Sequence, residues 1–277
     1  MTKLLFSLIF VFASGLKANE DKSCFTIDTG EEFCDLAFKG NAQQLWIAGS
    51  GDLEHVKKIV SPYGVKPVLN KEGRALVSLA FVQYVSTSVG PYNELIVMYA
   101  VQRNDKNIGP YSPFMYTLKN ALVQKDKSNP DYGFFMKKLV LGGENKKAVH
   151  AGIEIGLKIH GMPKVSGDID YALDPSEQMH VSVKSHDQSV DIEGTFDSSY
   201  LGGINLMATP VIIHALSTGL GHPHWSRAVG FAWGGTPQST KTLKLKIDGS
   251  EMKDLQFQPG VVVFSGRYRF ELEAPKN

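Results

Sequence analysis

The sequence predicts an α+β domain: a curved, largely antiparallel sheet with two or three helices. Three observations carry this reading. Ala75 to Val89 and Leu95 to Val101 are rich in β-branched and aromatic residues, and Gly90-Pro91-Tyr92-Asn93-Glu94 joins them as an antiparallel hairpin. Glu144 to Val165 has helical spacing, with Ala148, Ala151, Gly152, Ile155 and Ile159 recurring at steps of three and four. After that helix the chain is mostly strand-like: Val165–Leu173, His180–Lys184, Val190–Phe196, Leu243–Ile247 and Val261–Phe264.

Along the chain, Met1 to Ala18 is expected to be a cleaved secretory signal. Lys3 is followed by nine residues, Leu4 to Phe12, apolar except for Ser7, which is too short a run to span a bilayer. Residues 19–40 form an N-terminal arm, and 41–277 form the domain. A secreted or periplasmic location follows, with no stable membrane anchor after signal removal. Cys24 and Cys34 are the two cysteines. Export brings oxidising conditions, so they are expected to pair across a hairpin turning at Thr29-Gly30. Closing so short a loop contributes roughly 2–3 kcal/mol.

Lys3 and Lys17 leave with the signal, so the balance falls from 29 basic against 28 acidic residues to 27 against 28. That near-neutral balance gives no support for a nucleic-acid partner. Leu45 to Ala48 reads as a short strand. Ser50-Gly51-Asp52 opens a helix with Leu53, Val56, Ile59 and Val60 on one face, and Ser61-Pro62 ends it. Pro113 to Gln124 is either a short helix or extended. Leu243-Lys244-Leu245-Lys246-Ile247 alternates, as does Arg267 to Leu272, whereas Val261 to Phe264 is apolar on both faces. Gly219 to Gly235, rich in glycine and aromatics, reads as a structured loop region.

The chemistry centres on Lys164, directly after the Gly161-Met162-Pro163 stop of the central helix. A lysine amine attacks carbonyls only when neutral, and burial favours that form. An imine with a ketone is an electron sink for breaking a neighbouring bond. On the residues alone, a surface cation that caps the helix is the favoured reading, because most lysines are surface charges.

Gly161-Met162-Pro163-Lys164, preceded by Ala151-Gly152-Ile153-Glu154, resembles the active-site segment of the acetoacetate decarboxylase-like superfamily. The hairpin Gly90 to Glu94 resembles a second motif of that family, in the same order, and the helix Leu53 to Val60 matches an early family helix. The resemblance implies a cone-like, mostly antiparallel β-barrel, often in homo-oligomers. It implies a carbon–carbon lyase in which Lys164 forms a Schiff base with a small oxo (β-keto) acid or ketone, without a cofactor. Glu94 is implied to orient the substrate or move a proton, with Tyr92, Met162 and His160 at the substrate. Related imine chemistry, aldol cleavage or dehydration, fits the same residues. The alternative is a non-catalytic small-ligand-binding protein on the same fold.

The sequence departs from the family pattern at several places. Val165 stands where a second lysine follows the Schiff-base lysine, and Leu157-Lys158 replaces an Arg-Glu pair. An upstream glutamate falls near Leu79 when no gap is introduced. Asn41 to Gln44 offers no counterpart to a substrate-binding arginine, and Met162 replaces an aromatic residue.

Other signals are weaker. His222-Pro223-His224 with His214 lacks a carboxylate completing a ligand set, so a loop or pocket-wall role is favoured and no metal is expected. Ser185-His186-Asp187 places a triad's residue types side by side, where they do not face one another.

Overall fold

The computed structural model describes residues 24–26, 30, 32–34, 38–87, 90–113, 115–116, 130–142, 144–146, 150, 167–173, 179–185, 188–194, 209–217, 224–234, 238–239 and 243–272. The predicted signal segment, nearly all of the predicted central helix and most of Pro113–Gln124 lie outside them.

The N-terminal hairpin is present: β1 (Cys24–Thr26) pairs antiparallel with β2 (Glu32–Cys34), and the register sets Cys24 opposite Cys34. The strand expected at Leu45–Ala48 is instead the long β3 (Phe38–Gly51). Its polar Gln43-Gln44 and its glycines hide the strand from a propensity reading, while pairing along both edges sustains it.

Helix α1 (Leu53–Val60) forms where the apolar spacing places it. Asp52 caps it, accepting from the His55 backbone N–H at 2.7 Å, and a 3-10 turn (Ser61–Tyr63) continues from Ser61-Pro62. A short β4 (Val65–Pro67) follows. Then come β5 (Ala75–Thr87) and β6 (Tyr92–Arg103), the predicted hairpin. Gly90, at φ +107°, sits in its turn, where a side chain would be strained.

Beyond the hairpin are β7 (Tyr132–Gly142), β8 (Gly167–Leu173), β9 (Met179–Ser185), β10 (Gln188–Gly194), β11 (Thr209–Ser217), β12 (His224–Gly234), β13 (Gln238–Ser239), β14 (Leu243–Gly249), helix α2 (Ser250–Leu255) and β15 (Gln258–Leu272). The expectation of a loop over Gly219–Gly235 is wrong over most of its length, because β12 is a strand. Trp225, Val229, Phe231 and Trp233 alternate there with Ser226, Ala228, Gly230 and Ala232. Ladders to β11 on one side and β15 on the other override the low strand preference of glycine.

The main sheet runs β12-β11-β7-β6-β5-β3-β15-β13, with β4 added against β6. Its ladders are antiparallel except for a short parallel one between β11 and β7. The further pairing of β12, at one end of that order, with β15, next to the other end, makes the sheet strongly curved. A second sheet, β14-β10-β9-β8, is wholly antiparallel. The predicted α+β class and mostly antiparallel curved sheet are therefore what the chain adopts.

Both faces of the central strands are buried. Ala75, Val77, Leu79 and Phe81 of β5 join Val56 and Val60 of α1 and Leu255 of α2 in one cluster. Leu76, Ala80, Val82 and Tyr84, the alternate residues, join Trp46, Tyr92, Met98, Tyr116 and Phe134 in another. This double burial explains why β5 reads as a continuous apolar run rather than an alternation.

α2 and the start of β15 lie close against β3. The Asp52 N–H donates to the Leu255 carbonyl at 2.7 Å. A Cβ at Gly49 would collide with the Gln258 carbonyl oxygen and the Phe257 ring, so the approach requires glycine.

Candidate active site

The alternation of β5 and β6 decides which side chains share a face with Glu94. Glu94 is the third residue of β6, inside the strand rather than at the turn's re-entry point. The register pairs it with Val82, and Val82 in turn with Gln44. Two residues towards the turn, Tyr84 pairs with Tyr92. Two residues the other way, Ala80 pairs with both Ile96 and Trp46. The face turned away from α1 thus carries three successive rows: Ala42-Tyr84-Tyr92, Gln44-Val82-Glu94 and Trp46-Ala80-Ile96.

Glu94 is only 6% exposed, although an ionised carboxylate strongly favours water. Burial raises its pKa from 4.5 to about 7, and a side-chain hydrogen bond with Tyr84 pulls the other way. Tyr84 is also hydrogen-bonded to Tyr92, and the two rings lie 4.5 Å apart. Tyr92 titrates well above the ordinary tyrosine value, first through burial and then through the neighbouring Glu94 charge. Near neutral pH the group is a carboxyl poised between its two protonation states beside two neutral phenols. That is the state a proton-transfer residue needs.

One end of this face is closed by the segment after β6. Gln102 is buried, accepting from the Ile108 N–H at 2.9 Å and donating to the Pro67 carbonyl at 3.4 Å. Tyr116 is buried beneath that segment, and its single hydroxyl hydrogen is shared between the Gly133 carbonyl, the nearer, and the Val101 carbonyl at 3.2 Å. Tyr111 and Phe134 pack against the Tyr116 ring.

Of the residues predicted to act on a substrate, Glu94 and Tyr92 share this buried face. Lys164, His160 and Met162 lie outside the described residues. Tyr84 and Trp46 were not singled out by the sequence; only the strand register places them beside Glu94 and its neighbours. Leu79, the ungapped counterpart of a family glutamate, belongs to the opposite cluster with α1, so it is no part of this face. Gln44, at the end of the segment where an arginine was sought, is buried in Glu94's own row. His214 and His224 lie on neighbouring strands, with His224 opposite Ser217, three register positions from His214.

No protein-family model matches the chain, and no curated protein matches it. Solved structures do. The enduracididine biosynthesis enzyme MppR, complexed with the condensation product of pyruvate and imidazole 4-carboxaldehyde, is similar at 12% identity and a TM-score of 0.52. That match covers 93% of this chain and 97% of MppR. An acetoacetate decarboxylase-like enzyme from Sphingomonas wittichii RW1 is similar at 13% identity and a TM-score of 0.48, over 91% of this chain and 97% of that one. At such identities the likeness to MppR is one of fold alone, and it agrees with the mostly antiparallel α+β architecture expected from the sequence.

Proposed function

We propose that this chain is a Schiff-base-forming lyase acting on a small oxo acid, with Lys164 as nucleophile and Glu94 as its proton-transfer partner. The observation that carries the reading is Glu94: a buried carboxyl at the motif position, held by Tyr84 and raised to about 7. A purely structural glutamate on a buried face is costly unless it is paired, and among the described residues Glu94 is kept there beside two phenols. MppR, the fold neighbour, holds a product formed from pyruvate, itself an oxo acid, which supports this substrate class.

The chemistry balances as follows. The neutral amine of Lys164 adds to the oxo carbon, and loss of water gives the imine. In a β-keto acid the bond to the carboxylate breaks, carbon dioxide leaves, and the electron pair enters the imine to give an enamine. Protonation at carbon and hydrolysis release the ketone and restore the amine. Glu94, near half-protonated at neutral pH, can give a proton in one step and take it back in another. Tyr84 fixes its orientation. With Val165 in place of a second lysine, the proposed mechanism requires desolvation rather than a neighbouring ammonium to keep the Lys164 amine neutral.

The test is carbon dioxide release from acetoacetate and related β-keto acids. The wild type is expected to release it, Lys164→Ala to abolish release, and Glu94→Gln to lower it by roughly 100-fold or more. Full activity in Lys164→Ala would end this reading.

We further infer export with a Cys24–Cys34 disulfide, which the signal-like start and the register of β1 and β2 both support. Peptide mapping of the exported protein tests it; two free thiols would refute it.

A further inference from the structure

The indole of Trp46 raises a separate question. Trp46 is 8% exposed, and among the described residues its Nε1–H reaches no acceptor. A buried donor left without a partner is rare in folded proteins. The ring itself is well held: it meets Phe134 edge-on at 5.7 Å, and its row neighbour on β5 is the small Ala80. Among the described residues the donor is therefore fixed in place without a partner.

Its surroundings show where a partner could enter. Trp46 lies between Val263 of β15 and Ala80, and Ala80 pairs with Ile96. Ile96 and Val263 are only partly buried although they sit mid-strand in the main sheet. The row is therefore less tightly covered at Ile96 and Val263 than at the indole nitrogen, which solvent does not reach. Glu94 stands one row further along and two strands across, about 7 Å along and about 10 Å across at the backbone. Side chains projecting from one face can close much of that gap, so a small molecule touching both groups need span only a few heavy atoms.

We propose that Trp46 is a specificity-determining residue whose indole N–H donates to an oxygen of the bound oxo acid. An indole N–H only donates, so it selects an acceptor oxygen and gives nothing to a hydrogen-bond donor. The apolar neighbours Ala80 and Phe134 favour a keto oxygen or carboxylate carried on a compact carbon skeleton. This assigns to a neutral donor part of the recognition for which Asn41 to Gln44 offer no arginine. The inference rests on the oxo-acid reading of the site, and the experiment separates the two.

The chain has three tryptophans, Trp46, Trp225 and Trp233. Three indole N–H signals are followed in nitrogen-15-labelled wild-type protein as pyruvate or acetoacetate is added. Trp46→Phe assigns the signal; if that variant does not fold, Trp225→Phe and Trp233→Phe assign it by elimination. The Trp46 signal is expected to move downfield and saturate, with the other two nearly still. Trp46→Phe is expected to weaken pyruvate binding roughly 3- to 10-fold, the loss of one hydrogen bond. Borohydride trapping of Lys164 is run on the same samples. A moving Trp46 signal without trapping supports this inference and counts against the Schiff-base step. Trapping with a motionless Trp46 signal overturns the inference and leaves the Schiff-base reading standing. No movement and no trapping overturns both.

Discussion

The hydroxyl of Tyr84 is hydrogen-bonded to the carboxyl of Glu94, so a β5 phenol partly offsets the upward shift that burial imposes on a β6 acid. Burial alone would hold the carboxyl still higher, because the phenol O–H donates to the charged form and stabilises it. The same Tyr84 touches Tyr92, whose ring covers the turn side of the pair.

Glu94 makes stability depend on pH in a defined window. Its folded-state pKa, about 7, lies above the unfolded value of 4.5. Between these values the unfolded chain has released the proton and the folded chain still holds it. Stability therefore falls as pH rises from about 4.5 to about 7, by about 3 kcal/mol, and then levels off. Urea denaturation at successive pH values measures the slope. Glu94→Gln, which has nothing to titrate, is expected to flatten it.

Tyr84→Phe removes the donor that lowers Glu94. The Glu94 midpoint is expected to move upward, and with it the pH midpoint of carbon dioxide release. The titration is read from the carboxyl carbon in labelled protein. A downward shift would mean that the phenol does not donate to the carboxylate.

Two backbone positions hold α1 and α2 against the sheet. Gly49→Ala forces a Cβ onto the Gln258 carbonyl and the Phe257 ring, with an expected cost of about 1–3 kcal/mol. Asp52→Ala removes the α1 cap and is expected to cost about 1 kcal/mol. Chemical denaturation gives both numbers, and the Asp52 variant should leave the Glu94 titration unmoved because α1 packs on the opposite face.

Short-range signals in the sequence correspond well to the structure. α1 is legible because its cap, its apolar spacing and its proline stop lie within a dozen residues. The β5–β6 hairpin is legible because the turn residues stand between two apolar runs. Long-range pairing is less visible. β12 hides behind its glycines until β11 and β15 are seen to flank it, and the six-residue α2 has no local signal strong enough to single it out, whereas β7 and β11 do contain strand-like runs at Phe134-Phe135 and Val211-Ile212-Ile213. The candidate site divides in the same way. Glu94 and Tyr92 sit in a recognisable turn motif. Tyr84, Gln44 and Trp46 reach their company only through register across three strands, and burial on both faces removes the alternation that would have assigned their side.

The central claim is that Lys164 forms an imine with an oxo acid, and reductive trapping tests it most directly. The mature protein is incubated with acetoacetate, pyruvate and a panel of related oxo acids, reduced with borohydride, digested and mapped by mass spectrometry. The account predicts a reduced adduct on Lys164, lost in Lys164→Ala and diminished in Glu94→Gln. An unmodified Lys164 across the whole panel would contradict it.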